Sequence, residues 1–285
     1  MNRRRHEWRL RERTLLLGER TLIMGILNVT PDSFSNGGRY DDPDRAFARA
    51  VEIEDAGADI LDVGAESTRP GSDRIAEAEE LRRLIPVLKR LSGKLSIPIS
   101  VDTYKSAVAE KALETGVEII NDPSAFTLDP LLARTVGNSN AGFIMNHMRG
   151  TPESWAKLPP MKDPIGTITA DLDAGVHRAV RAGIDRARIV IDPGLGFGKR
   201  REQNSEILAQ LSFLARLDLP VLVGPSRKAF LSQWQKSPDP PRLDLMTAAA
   251  VTAAILGGAH IVRVHDVGEL KPVVQLADQI LTFTA

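Results

Sequence analysis

The chain of 285 residues contains no cysteine. That absence excludes disulfides, thiolate metal sites, iron–sulfur clusters and cysteine nucleophiles together, so any bound metal needs oxygen or imidazole ligands. Net charge is missing too, because 37 Lys and Arg residues balance 37 Asp and Glu. No global field draws the chain to nucleic acid or to an anionic membrane, and any anion site must be local. No run approaches the ~20 apolar residues of a membrane span. A secretory core is also lacking: after the basic Arg3-Arg4-Arg5, the apolar stretch Leu15-Leu16-Leu17 stops at Gly18. A cytoplasmic protein without nucleic-acid or membrane partners is expected. Linkers rich in Gly and Ser are absent, so one domain is expected over 14–285, preceded by a basic, solvated tail over 1–13 that chemistry does not need.

What is present is enough apolar sequence for a core, with 42% hydrophobic residues against 26% charged. Eight short apolar and β-branched runs begin near Thr21, Asp59, Pro98, Ile119, Gly142, Ile189, Pro220 and His260. They are near-continuous rather than alternating, as strands covered on both faces require, so the sheet should be parallel. Amphipathic stretches separate them. The clearest spans 76–94, with Leu81, Leu84, Ile85, Leu88 and Leu91 at helical spacing. The runs recur about every 34 residues, the size of a strand–helix unit. This predicts an α/β fold, a single closed (β/α)8 TIM barrel. Residues 14–24, with Gly18-Glu19-Arg20 at their centre, read as an N-terminal β-hairpin plugging its floor.

In such barrels the carboxyl ends of the strands carry the site. Nearly every run here stops at a polar residue: Asn28, Asp62 with Glu66, Asp102, Asn121, His147, Asp192, Ser226 with Arg227 and Lys228, and Arg263 with His265. A single Asp there would read as a helix N-cap, but a full ring of polar residues reads as a site. Asp62, Asp102, Asn121 and Asp192 are expected on one side of the mouth, and Arg69, Arg227, Lys228, Arg263 and His265 on the other. A ligand with an amidine-like edge and an attached polyphosphate would match both halves. His147 is either a rim member or a hydrogen-bonded structural residue. Lys199 is either a site lysine or a solvated one. His6, His177 and His260 read as surface or packing residues.

Five stretches are long and specific: MGILNVTPDSFSNGG at 24–38, DVGAESTRPG at 62–71, IVIDPGLGFGK at 189–199, SRKAFL at 226–231 and IVRVHDV at 261–267. Together they make the chain resemble the dihydropteroate synthase family from about residue 15 to its end. The resemblance implies a pterin-binding barrel and a transferase of folate biosynthesis. That family joins 6-hydroxymethyl-7,8-dihydropterin pyrophosphate to 4-aminobenzoate, giving 7,8-dihydropteroate and pyrophosphate. Carried over by motif, the resemblance implies pterin contacts for Asp102, Asn121, Asp192, Phe197 and Lys228. It implies pyrophosphate contacts for Asn28, Thr68, Arg69, Arg263 and His265, with Mg²⁺ held by Asn28 and phosphate oxygens. Phe34, Pro70, Ser226 and Lys228 would form the 4-aminobenzoate pocket, helped by the N-terminus of a helix starting at Lys228. Asp102, Arg263, His265 and Arg69 would be catalytic in a reaction that ionises the C–O bond before the amine attacks.

Loops at 30–40 and 66–75 would close over the site, sulfonamides would compete with 4-aminobenzoate, and a homodimer would form through late helices. Four residues depart from the family pattern: Pro123, Asn146, Pro225 and Ala229. Pro123, Asn146 and Ala229 keep a second reading open, a pterin-binding paralogue without turnover. A methyltetrahydrofolate:corrinoid methyltransferase shares the pterin-binding barrel, but Arg69, Arg263 and His265 speak against it.

Overall fold

The computed structural model describes residues 3–30, 43–67, 72, 74–232 and 239–283. Strands β1 (His6–Arg9) and β2 (Thr14–Leu17) pair antiparallel. Strands β3 (Leu22–Asn28), β4 (Ile60–Gly64), β5 (Ile99–Asp102), β6 (Ile119–Asp122), β7 (Gly142–Asn146), β8 (Ile189–Asp192), β9 (Leu222–Val223) and β10 (Ile261–Val264) form one parallel sheet in the order β8-β7-β6-β5-β4-β3-β10-β9. A parallel bridge between Ile191 and Val221 joins its two edges. The sheet is therefore a (β/α)8 TIM barrel, and each apolar run of the sequence is one of its strands. Helices α1 (Pro43–Asp55), α2 (Glu77–Leu91), α3 (Ser106–Glu114), α4 (Leu132–Gly137), α5 (Pro164–Arg181), α6 (Arg201–Ala209), α7 (Pro240–Leu256) and α8 (Val267–Thr282) follow the strands.

Alternation along each strand sends every second side chain into the barrel. At the lower level these are Leu22, Met24, Ile60, Ile119, Ile144, Val190, Leu222 and Ile261, buried in one cluster with Trp8, Leu10 and Leu17. The residues between them, such as Ile23, Leu61, Ile120, Phe143 and Ile191, pack outward against the helices in a separate cluster. Two positions further along the inward faces stand Asp62, Asn121, Asn146, Asp192 and Arg263. The interior changes from hydrocarbon to polar over about 7 Å of strand.

The hairpin lies earlier than residues 14–24. Its strands are β1 and β2, joined through 10–13, and Gly18-Glu19-Arg20 leads into β3 instead of forming the turn. Packing explains the shift. Trp8 is fully buried, and its indole Nε1 donates to the Arg188 carbonyl at 2.8 Å. Gly142 makes room for it, since a Cβ there would lie 3.2 Å from the Trp8 ring. The expectation of a solvated tail over 1–13 is corrected by the same facts. Arg3 donates to the Ala259 carbonyl and to Thr21, both at 2.7 Å, and pairs with Asp278 at 3.2 Å, while Arg4 and Arg5 stay exposed.

Trp8→Ala is expected to cost about 3–5 kcal/mol through the cavity it leaves. The check is a urea titration, in which the midpoint should fall with little change in slope. A midpoint within error of the parent would show that the hairpin does not close the floor.

Candidate active site

The mouth is organised around Arg263, the inward residue of β10. Its Nε donates to Asp62 Oδ2 at 2.6 Å and its Nη2 to Asp102 Oδ2 at 3.0 Å. Asn121 Nδ2 donates to the same Asp62 oxygen at 3.1 Å. The expected split into an acidic and a basic half is therefore wrong. Arg263 lies between the carboxylates, because two buried like charges on the adjacent strands β4 and β5 need a counterion between them. Burial works against the Arg263 cation, but Asp62 and Asp102 raise its pKa above the ordinary value. Burial pushes Asp102 up to about 7, with Arg263 opposing. Asp62 has no solvent exposure, and its Oδ1 has no hydrogen-bond partner among the described residues.

Across the mouth, Asp192 ends β8 and accepts from the Gly194 amide at 2.7 Å. Burial pushes it up to about 6, against the Gly194 hydrogen bond and the charges of Lys228, Lys199 and Arg263. Lys228 is lowered to about 8 by burial and by Arg263, with Asp192 and Asp102 opposing. Its ammonium sits 4.0 Å from the centroid of the Phe197 ring, which Trp155 meets edge-on at 5.6 Å. Asp192, Lys228 and Arg263 thus feel one another's charge around one mouth.

The 194–199 turn that carries Phe197 is tied down by Lys199. Its Nζ donates to the carbonyls of Gly194 at 2.7 Å, His147 at 2.9 Å and Phe197 at 3.2 Å. Lys199 is therefore not a solvated lysine. Burial holds its pKa well below the usual lysine value, with the charges of Asp192 and Asp171 opposing. Gly194 adopts φ +67, and a Cβ there would collide with the His147 carbonyl.

Other residues sit differently from expectation. His147 follows the inward Asn146 and so points away from the barrel, where its Nε2 lies 3.0 Å from Asp171 Oδ2 on α5. Burial pushes it down to about 4, the state of a neutral structural histidine. Arg227, placed with the rim cations, pairs outward with Asp244 of α7 at 2.8 and 2.9 Å. No helix begins at Lys228: 226–232 form turns, Arg227 has a left-handed φ of +54, and α7 starts only at Pro240. Ser226 Oγ lies 2.9 Å from His265 Nδ1 and accepts from the His265 amide at 3.2 Å, so it steadies that imidazole. Asn28 ends β3 beside Gly64, where a Cβ would lie 3.5 Å from Asp102 Cβ and 3.9 Å from Asn28 Oδ1.

Glu66 is bound at 2.6 Å by Lys105, which also reaches Glu80 and the Ile75 carbonyl and so joins both ends of the 66–75 segment. Phe34, Thr68, Arg69 and Pro70 lie outside the described residues, as do most of 30–40 and part of 66–75. Two residues were undervalued: Asp62 had no assigned role, and Asn146 was only a departure. Both stand two positions after an inward apolar residue, Ile60 and Ile144, and that spacing was the available signal.

Residues 24–265 match the family model described as pterin binding enzyme. The chain is similar to a dihydropteroate synthase of Synechocystis, with 42% identity over 263 residues, covering 92% of this chain and 91% of that one. It is also similar to the solved Yersinia pestis dihydropteroate synthase with a sulfonamide drug complex, at 36% identity and a TM-score of 0.90, covering 97% and 99% of the two chains. Against the Burkholderia cenocepacia dihydropteroate synthase complexed with 7,8-dihydropteroate, the identity is 35% and the TM-score 0.86, with 97% of each chain covered.

A carboxyl pKa raised to about 6 in the fold stabilises the native state at low pH, and this contribution is lost as pH rises from the ordinary value of 3.8 through about 6. Asp192→Asn stays neutral throughout. Wild-type stability should therefore fall relative to the variant by about 3 kcal/mol across that span. Urea unfolding at stepped pH measures the difference, and parallel profiles would refute the environment assigned to Asp192.

Proposed function

The chain belongs to the pterin binding enzymes of the dihydropteroate synthase family, and we propose that it condenses 6-hydroxymethyl-7,8-dihydropterin pyrophosphate with 4-aminobenzoate to give 7,8-dihydropteroate and pyrophosphate. The observation that carries this reading is the mouth that Asp192, Lys228 and Arg263 share. In this reading the Asp192 carboxylate accepts from the 2-amino and N3–H groups of the pterin. Asn121, whose amide nitrogen is held by Asp62, keeps its oxygen for the ring. Phe197, fixed between Lys228 and Trp155, covers a ring face. Arg263 and His265 meet the leaving diphosphate, with Thr68 and Arg69 from the segment outside the described residues.

The reaction we propose begins with loss of the diphosphate. The C–O bond breaks, its electron pair leaves with the phosphate oxygen, and the electron-rich dihydropterin spreads the positive charge. The amine lone pair of 4-aminobenzoate then forms the C–N bond, and the extra proton on nitrogen passes to water. Asp102 supplies a negative charge near the cation, held in place by Arg263. No covalent bond to the protein is needed.

Among the described residues no three His, Cys, Asp or Glu side chains gather as a metal cage. The amide oxygen of Asn28 is a hard donor beside the small Gly64, which fits Mg²⁺ bound mainly by water and phosphate oxygens. Asn28 would hold such an ion, whose chemistry when bound is to neutralise the diphosphate charge. For the homodimer, exposed Leu245 on α7, Leu276 and Ile280 on α8, and Phe283 beyond it are the apolar surface that supports the reading.

Purified protein supplied with both substrates should release pyrophosphate and form 7,8-dihydropteroate in equal amounts, and Asp192→Ala should reduce the rate at least about 100-fold because paired donors lose their acceptor. Pterin affinity in the wild type should rise as pH climbs through about 6, where Asp192 becomes the accepting anion. Pterin binding without pyrophosphate release would favour the paralogue without turnover. Sedimentation equilibrium should give twice the chain mass, and Leu276→Glu should halve it; a wild-type monomer at all concentrations would remove the dimer.

A further inference from the structure

Asn146 ends β7 on the inward face, opposite Asp192 in the register with β8. It is 4% exposed. Its Nδ2 donates to the Pro123 carbonyl at 2.7 Å. That carbonyl can only accept, so the contact fixes which end of the amide is nitrogen and leaves Oδ1 for the mouth. No described residue donates a hydrogen bond to Oδ1. It lies beside Gly194, where a Cβ would come within 3.1 Å of it, and the Gly194 amide is the donor to Asp192. Two acceptors therefore flank one glycine. Pro123 and Asn146, two of the departures from the family pattern, are joined by this hydrogen bond into a single unit.

We propose that Asn146 is a further specificity-determining residue of this site, its Oδ1 accepting the second hydrogen of the pterin's exocyclic 2-amino group. The inference rests on the pterin reading above. A carboxylate set against an amino-pyrimidinone edge takes one amino hydrogen and the ring N3–H. The other amino hydrogen then enters a buried pocket, where a donor without a partner is costly. Asn146 stands next to Asp192 with an oriented acceptor that no described residue uses, and Gly194 lies close to both.

The test is calorimetric titration of 6-hydroxymethyl-7,8-dihydropterin and of its counterpart lacking the 2-amino group. Each is titrated into the wild type, Asn146→Met and Asn146→Ala, after thermal melts establish folding. Asn146→Ala adds no bulk and covers the case in which Asn146→Met does not fold. The wild type should prefer the amino compound, and in the variants that preference should shrink about tenfold, the amount a single lost hydrogen bond removes. Equal weakening of both ligands, with the ratio unchanged, would show that Asn146 only shapes the pocket and would overturn the proposal alone. A wild-type protein that binds neither compound would overturn the pterin reading and this inference with it.

Discussion

One guanidinium makes the mouth of this barrel possible. Asp62 and Asp102 come from adjacent strands, face inward and are cut off from most solvent. Without a cation beside it, the buried charge of Asp62 would drive the pKa of Asp102 higher still. Arg263 reaches both, and the bond to Asp62 spans 201 positions of sequence. Losing one partner of such a buried set typically costs about 3–5 kcal/mol, because the remaining charge is left uncompensated. Under the proposed reaction the same network is a field in place before substrate arrives. Charge that develops on the ring meets a carboxylate that does not have to move.

That field depends on what lies beneath it. The floor of the barrel is apolar and closed by Trp8 and Leu17, so the carboxylates stand on hydrocarbon. The low polarity of the floor explains why Asp102 and Asp192 hold protons more tightly, and Lys228 less tightly, than they would in solvent. The Lys199 cage performs a related task one shell out. Three carbonyls from two loops converge on one ammonium, which fixes the turn that presents Phe197.

The barrel was legible because each strand is a short apolar run that stops at a polar residue, and the repeat of that pattern survives variation in loop length. Asp192, Asn121, Asp102 and Arg263 were legible for the same reason. What could not be read was anything that depends on a partner far away in the chain. Lys199 reads equally as a site lysine or a solvated one until His147, from another loop, supplies a carbonyl. Arg227 and Lys228 are neighbours with equal charge, and only the left-handed turn at Arg227 sends one out to Asp244 and leaves the other in the mouth. The hairpin was misplaced because Gly18 is a strong turn signal, whereas the burial of Trp8 against Gly142 and Arg188 is tertiary. The pairing of Asn146 with Pro123 is equally invisible from two isolated departures.

The floor hairpin also bears on how the molecule comes into being. The partners of this hairpin lie far along the chain: Arg3 waits for Ala259 and Asp278, and Trp8 for Arg188. A nascent chain therefore carries an unpartnered indole at least until Arg188 has been made, and an unpaired Arg3 until Asp278 has. Closure belongs to a chain that already holds those segments, and a copy terminated before them exposes the plug, the kind of surface that chaperones and proteases recognise.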